Sequence, residues 1–335
     1  MNKAFSILFL FAVTGPLSAD EQLTIGIIDF YGLRSITEEQ VRAALPFSEG
    51  FVVSDDNAFP KEKAESAIAE ALDVRRVELS LTCCYEPYMA IAYVGVEEEQ
   101  ISALEYRDEP VGDKELPAEL QETSRQLESA IIAAVRMGDA GEDRSQGHSL
   151  MMNPEARALQ QKYIEYAEEY RDTLIEVLHG SARQRALAAT VLAYSADKKS
   201  IVPYLEAAVL DPDEGVRNDA TRALALIANY ANENPELEIK MDPAVFVDML
   251  NSVSSSDRNK AAAVLLSLTD SRDLYALELI RTKALPSLIE MCRWEWEGHA
   301  WVPCKILERA VGLPDQEELH PKDVIISAAQ ELLRN

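Results

Sequence analysis

The feature that most constrains this chain is the segment 199–228, which has the pattern of two antiparallel helices joined by a tight turn. Asp211, Pro212 and Glu214 form an acid-proline-acid start that is typical of a helix N-terminus, with Asp211 predicted as the N-cap. Apolar and small residues follow at the spacing of one helix face. Because one helix pair cannot bury its apolar face alone, the segment predicts packing against further pairs.

The same spacing recurs on both sides of this segment. Arg185, Arg217 and Arg258 each begin the pattern Arg-x-x-Ala-x-x-(Val/Ala)-Leu, at intervals typical of helical-pair repeats. The run D-P-D-x-x-V-R-x-x-A-x-x-A-L at 211–224 resembles HEAT repeats, especially the short HEAT-like repeats named after phycobilisome lyases, and the resemblance extends over 172–313. It implies an all-α superhelical solenoid in which these arginines pair with acidic groups between repeats. We therefore interpret the three arginines and Asp211 as structural residues.

The segment before the repeats predicts a small α+β domain. Apolar strand patterns at 23–30, 76–83 and 88–96 enclose two helices, one capped by Thr37 with Gln40 three residues on and one opened by Pro60. The order β-α-α-β-β and the F-Y-G-L segment at 30–33, followed by a T-E-E-Q helix start, resemble POTRA domains of Gram-negative envelope proteins. That resemblance implies a module that receives a partner strand at a sheet edge. A generic α+β cap without a partner is the alternative.

These patterns predict five segments. A long helical hairpin with a polar loop precedes the repeats, its second helix running over 154–178, and a capping helix ends the chain. In order, the segments are a signal peptide at 1–19, the POTRA-like domain at 20–97, an acidic linker at 98–115, the hairpin at 116–178 and HEAT-like repeats at 179–335.

Charge and the N-terminal segment limit the partners and the compartment. A net charge of −26 argues against nonspecific nucleic-acid binding and against docking on anionic lipid, since both need clustered Lys and Arg. Lys3, an apolar core, and Leu17-Ser18-Ala19 before Asp20 have the pattern of a secretory signal peptide. We expect an exported protein, periplasmic or secreted, with no integral membrane segment after signal cleavage.

Four cysteines in an exported chain suggest disulfides. Cys292 is expected near the end of one helix and Cys304 near the start of the next, where antiparallel helix ends lie close enough for a bridge. Cys83 and Cys84 are adjacent, and both burial of Cys83 and a vicinal bridge at a hairpin tip remain open. The spacings are not typical of zinc sites.

The polar loop 138–153 is the best candidate for chemistry. Asp143 and His148, with Asp139 and Glu142, offer oxygen and nitrogen donors to a cation, but the spacing fits no EF-hand. A packed or hydrogen-bonded His148 with solvated acids is the alternative. No catalytic arrangement of Ser, His and Asp can be argued from the spacing, so no catalytic residue and no cofactor is predicted.

All three tryptophans lie in one short stretch, W-E-W-E-G-H-A-W, as Trp294, Trp296 and Trp301. Exposed and restricted tryptophans are suited to a protein-binding hot spot. The alternative is that these rings seal the open end of the repeats.

Taken together, the sequence predicts a non-enzymatic interaction scaffold that binds a protein partner in the cell envelope or outside the cell. The phycobilisome-lyase resemblance implies a different possibility, a chromophore lyase or small-ligand chaperone, although a signal peptide does not suit cytosolic antenna assembly. A metal-dependent hydrolase centred on His148 is a third hypothesis, and it rests on the composition of the loop alone.

Overall fold

The structure is a computed structural model, and it describes residues 22–54, 57–99, 104–314 and 316–334. The predicted signal peptide therefore lies outside the described residues. The described chain divides into two compact units. The first unit contains Glu105–Phe246 and Ala263–Asp270, and the second contains 22–104, Val247–Ala262 and the chain from Ser271 onward. This division differs from the predicted segments. Residues near the N-terminal end of the described chain and residues near its C-terminal end both belong to the second unit.

The N-terminal part of the second unit is a four-stranded sheet with two helices. Strand β1 (Leu23–Tyr31) runs parallel to β4 (Met89–Glu97), whereas β2 (Val52–Val53) pairs antiparallel with β1 and β3 (Arg76–Glu86) pairs antiparallel with β4. The sheet order is β2-β1-β4-β3. The elements in chain order are β1 (Leu23–Tyr31), α1 (Glu38–Ala44), β2 (Val52–Val53), α2 (Lys61–Leu72), β3 (Arg76–Glu86) and β4 (Met89–Glu97).

This part of the chain confirms the expected α+β character, with one addition. The two-residue strand β2 stands between the helices, so the observed order is β-α-β-α-β-β rather than β-α-α-β-β. Such a short strand has too few alternating residues to be recognised in a sequence. The capping box at Thr37 is confirmed, since Thr37 and Gln40 exchange side-chain bonds with each other's backbone amides. Side chains from both helices and the sheet form one core, including Ile25, Ile28, Val41, Ile68, Leu79 and Val94.

The first unit is built from helices. A small hairpin of two-residue strands, β5 (Glu142–Asp143) and β6 (Leu150–Met151), lies in the loop between its first two helices. Gly138 follows the end of the first helix with φ +73°, in the left-handed region that glycine favours. The helices are α3 (Ala118–Arg136), α4 (Pro154–Glu169), α5 (Arg171–Val177), α6 (Ala182–Leu192), α7 (Lys198–Ala208) and α8 (Glu214–Glu233), followed by a 3-10 turn at Pro235–Leu237.

The prediction of one continuous helix over 154–178 is wrong. The backbone leaves helical geometry at Tyr170, with φ −106° and ψ 17°, which separates α4 from α5. The apolar spacing continues across the break, and neither Gly nor Pro marks it. The sequence therefore carries no local signal for this interruption.

The remaining helices follow α8. Helices α9 (Pro243–Met249) and α10 (Ser255–Leu268) contribute residues to both units. The second unit then contains α11 (Leu274–Lys283), α12 (Leu285–Arg293), α13 (Glu297–Ala310) and α14 (Lys322–Leu332). The expectation of a small α+β part followed by a helical region is confirmed as far as the types and order of the elements are concerned. None of the described helices combines the length and apolar character needed to cross a membrane.

Candidate functional site

The arginine of the first predicted repeat, Arg185, lies in the second turn of α6 and is completely buried. Its guanidinium donates to the carbonyl oxygen of Gly180 at 2.7 Å and to the carboxylate of Asp211 at 2.7 Å. Asp211 is also completely buried. Although burial opposes its charged form, hydrogen bonds from Arg185 and Arg107 lower the pKa of Asp211 below its ordinary value. The pair is therefore ionised and held in a fixed geometry.

The other two arginines bind in a related way. Arg217 donates to the carbonyl oxygens of Asp211 and Pro212, in the loop just before its own helix. Arg258, in the second unit, donates to the carbonyl of Ser252 at 2.6 Å and to the carboxylate of Glu290 at 3.1 Å. All three arginines thus bind the loop preceding their own helix, which satisfies buried carbonyl groups and fixes the start of each helix.

Asp211 does not have the position predicted for it. The N-cap of α8 is Asp213, whose side chain accepts from the amide of Val216 at 3.0 Å. Asp211 accepts instead from Arg185, from Arg107 and from the amide of Asp213. The prediction of Asp211 as N-cap is wrong. Acids stand on both sides of Pro212, and the first of them, Asp211, pairs with guanidinium groups, so the second caps the helix.

A segment without regular secondary structure, residues 106–112, lies against these residues in the first unit, and we call it the strap. Its backbone amides at Arg107 and Gly112 donate to the carbonyls of Leu210 and His179, at 2.8 and 2.7 Å. A side chain at Gly112 would have no room, since an added Cβ would lie 2.4 Å from the carbonyl oxygen of His179. The strap belongs to the segment predicted as an acidic linker, and its contacts make it an ordered part of the first unit.

Side chains of the strap complete a binding site that we call the Asp211 site, formed by Arg185, Asp211 and Arg217. The guanidinium carbon of Arg217 lies 4.2 Å from the centroid of the Tyr106 ring, a cation–π distance. Arg107 donates to the second carboxylate oxygen of Asp211. Glu109 accepts from Arg185 at 2.8 Å.

A comparable arrangement, the Glu290 site, is present in the second unit and consists of Arg258 and Glu290. Arg258 lies over the ring of Tyr31, with 4.5 Å from the guanidinium carbon to the ring centroid. Glu290 accepts from the side chain of Arg34 and from the backbone amides at 32 and 33. Here too, a tyrosine and an arginine outside the helices contact a helix arginine and a carboxylate. At the Asp211 site two helix arginines share this role, since Arg217 lies over the tyrosine and Arg185 pairs with the acid.

The tryptophans occupy different environments. Trp294 is 1% exposed and packs between Tyr31 and Tyr93, whose ring centroids lie 5.9 and 4.8 Å away. Its indole nitrogen has no hydrogen-bond partner within the described part of the chain. Trp296 and Trp301 are half-buried. Trp294 is therefore a core residue and not an exposed contact, while Trp296 and Trp301 keep surface that a partner can contact.

Beside Trp294 lie two partly buried polar contacts that the sequence did not suggest. The Tyr93 hydroxyl is 2.5 Å from Nδ1 of His299, and the Asp29 carboxylate accepts from the backbone amide of Glu295 at 3.1 Å. Burial raises the pKa of Asp29 to about 7, with the negative charges of Glu295 and Glu38 acting in the same direction. This carboxyl titrates near neutral pH inside the second unit.

The polar loop does not bring its predicted metal ligands to one centre. Asp143 accepts from Ser145 and forms an ion pair with Arg157 at 3.1 Å. His148 is buried, and its Nδ1 lies 3.0 Å from the ammonium of Lys198. Within the described residues, no group of three or more His, Cys, Asp or Glu side chains is placed to hold a metal ion. The structure thus gives the hydrolase hypothesis no support from geometry.

Lys198 is the unusual residue at this loop. It is buried at the first turn of α7, donates to His148 and to the carbonyl of Ala193, and burial lowers its pKa to about 7. Burial, together with the charge of Lys198, lowers the pKa of His148 to about 4. At neutral pH His148 is therefore uncharged and accepts a hydrogen bond from Lys198. This bond joins the polar loop to α7.

Both pairs of cysteines are joined in the structure. Cys292 and Cys304 form a disulfide between α12 and α13, with their Cα atoms 4.7 Å apart. Cys83 and Cys84 form a vicinal disulfide near the end of β3. No free cysteine occurs among the residues described.

Comparisons with protein-family models, with curated proteins and with solved structures found no match for this chain. The residues at the Asp211 and Glu290 sites therefore carry the functional argument. Sequence patterns identified the arginines of both sites and Asp211, but not Tyr106, Arg107, Tyr31, Arg34 or Glu290. Those residues lie far from the arginines in sequence and share no periodic pattern with them.

Proposed function

We propose that this protein is an exported, non-enzymatic interaction scaffold that binds a protein partner through the surface of its helical repeats. The observation that carries the proposal is the strap. The helices of the first unit already hold an extended polypeptide segment by backbone hydrogen bonds, an aromatic contact and ion pairs. These are the interactions by which helical and sheet surfaces recognise peptides of other chains.

The arginine pattern supports the repeat part of the proposal. Arg185, Arg217 and Arg258 each bind carbonyl groups of the loop before their helix, as repeated copies of one structural unit would. We propose that the helices from α6 onward are HEAT-like units of an α-solenoid, and that the sheet of the second unit is POTRA-like. Export rests on the signal-peptide pattern at 1–19.

The partner surface can be located with matched aromatic substitutions. Tyr204 on α7 is 39% exposed, Tyr88 lies in the turn between β3 and β4, and Trp296 and Trp301 lie at the start of α13 and within it. The mature protein would first capture partners from envelope extract. Each captured protein would then be purified and titrated against Tyr204→Ser, Tyr88→Asn and the double variant Trp296→Ser/Trp301→Ser. Trp294 is left unchanged because it is buried.

The repeat-surface proposal predicts that Tyr204→Ser weakens binding at least tenfold while Tyr88→Asn binds like the wild type. A loss confined to Tyr88→Asn would place the partner at the sheet and contradict the repeat surface. A loss confined to the tryptophan variant would place it at α13. If no captured protein binds the purified chain, the scaffold proposal itself is wrong.

A further inference from the structure

Two segments of this chain that lie outside the repeat helices are bound by the same chemistry. At the Asp211 site, Tyr106 stacks on Arg217 and Arg107 pairs with Asp211. At the Glu290 site, Tyr31 stacks on Arg258 and Arg34 pairs with Glu290. Each site thus contains a buried helix arginine that stacks on a tyrosine ring. Each also contains a carboxylate that pairs with the side chain of an arginine from outside the helices.

We propose that the Asp211 site is a recognition site for an extended segment of a partner protein in which an aromatic residue is followed directly by arginine. The strap is the internal occupant of that site and competes with the partner. This inference rests on the proposed function and specifies the partner segment that the repeat surface takes.

The chemistry of the site accounts for both parts of the motif. A guanidinium such as that of Arg217 is attracted to the face of an aromatic ring, so the first position favours Tyr, Trp or Phe. The planar fork of an arginine side chain fits a carboxylate better than the point charge of lysine does, so the second position favours Arg. The backbone bonds to the carbonyls of Leu210 and His179 fix the path of the segment, and the second of them favours glycine because the chain approaches His179 closely there.

The Asp211 site has contacts of its own that do not involve the strap. Asp211 pairs with Arg185, and Arg217 bonds to the loop carbonyls, so each of these buried charges has a partner outside the strap. The strap has no regular secondary structure, and its Val111 side chain is 96% exposed. A tethered segment of this kind acts at an effective concentration on the order of millimolar, which a partner segment of good affinity can overcome.

The test uses the full chain and a labelled peptide with the sequence of residues 104–113, LEYRDEPVGD. The peptide is titrated by fluorescence anisotropy into the wild type, into Tyr106→Ala/Arg107→Ala, and into Val111→Ala. The double variant weakens the strap while leaving the Asp211 site unchanged. Val111→Ala is the matched control, because it changes a strap side chain that faces solvent.

We expect the peptide to bind the double variant at least tenfold more tightly than the wild type or Val111→Ala. A peptide carrying the same two alanines should bind the double variant at least tenfold more weakly than LEYRDEPVGD does. Equal affinity for the wild type and the double variant, or equal affinity of the two peptides, would overturn the inference.

Hydrogen exchange on the wild type provides a second measurement in case the double variant does not fold. Saturating peptide should speed amide exchange at 107 and 112, and the alanine peptide should not. Unchanged exchange at saturation would refute displacement of the strap.

If the peptide fails to bind but a captured protein still requires Tyr204, the scaffold proposal stands without this inference. If the peptide binds but no captured protein binds the purified chain, the scaffold proposal fails, and the partner segment inferred here fails with it.

Discussion

The guanidinium of Arg185 lies 2.7 Å from the carboxylate of Asp211, and neither side chain reaches solvent. Removing the acid leaves a buried positive charge with weaker compensation, which typically costs about 3–5 kcal/mol. We therefore expect Asp211→Ala to lower the free energy of unfolding by roughly that amount, as measured by urea denaturation.

Asp213 provides the matched control, since it is an acid two residues away with only a capping role. Asp213→Ala should cost about 1 kcal/mol, the ordinary effect of losing an N-cap. Equal losses for the two variants would mean that the buried pair does not have the structural importance assigned to it.

Asp29 predicts a pH dependence of stability. Its pKa in the folded chain is about 7, whereas its unperturbed value is 3.8. Between these pH values the folded state holds a proton that the unfolded state has lost, so the contribution of Asp29 to stability falls as pH rises from about 4 to about 7. Asp29→Asn removes this contribution and keeps an oxygen acceptor for the amide of Glu295.

The free energies of unfolding of the wild type and Asp29→Asn should be measured across pH 4 to 8. The variant should gain on the wild type as pH rises, by on the order of 4 kcal/mol if the full shift is expressed. Taking the difference between the two proteins cancels the titration of groups that both contain. A difference that does not vary with pH would show that Asp29 titrates normally.

The tryptophan stretch predicts unequal effects of equal substitutions. Trp294 is buried between two tyrosine rings, whereas Trp296 is half-buried. Trp294→Ala should lower the free energy of unfolding by about 3–5 kcal/mol through the cavity it creates. Trp296→Ala should cost clearly less. Thermal unfolding of both variants checks this, and a greater loss for Trp296→Ala would reverse the assigned roles.

The bridge between α12 and α13 can be tested chemically. Non-reducing peptide mapping of the purified protein should recover Cys292 and Cys304 in one linked peptide pair. The bridge closes a short loop, with a sequence separation of 12, and its reduction should lower stability by about 3 kcal/mol. Alkylation of both residues in denaturant without reductant would show free thiols and disprove the bridge.

Local signals predicted local structure well. The capping box at Thr37 and the apolar spacing of the helices between 182 and 268 both depend on residues within a few positions of each other. The predicted N-cap of α8, Asp211, lies two residues before the observed one, Asp213. Either acid could cap the helix, and only the pairing of Asp211 with the buried Arg185 decides between them.

Long-range features could not be read from the chain in this way. The strap has the composition of a linker, and its order comes from carbonyls and side chains of distant helices. The ionisation of Asp29 depends on burial against residues near Glu295, which no sequence spacing reveals. The order of the strap and the raised pKa of Asp29 both come from residues that are distant in sequence, and not from the strap or Asp29 alone.

The contact of Glu290 with the amides at 32 and 33 has a consequence for how the chain reaches its native state. The strand that ends at Tyr31 is among the first parts of the described chain to be synthesised, yet its partner carboxylate follows more than two hundred residues later. Pairings of such large separation form slowly, and a chain that is still incomplete cannot form them at all. The second unit therefore cannot complete this contact until Glu290 has been synthesised, long after the strand that ends at Tyr31.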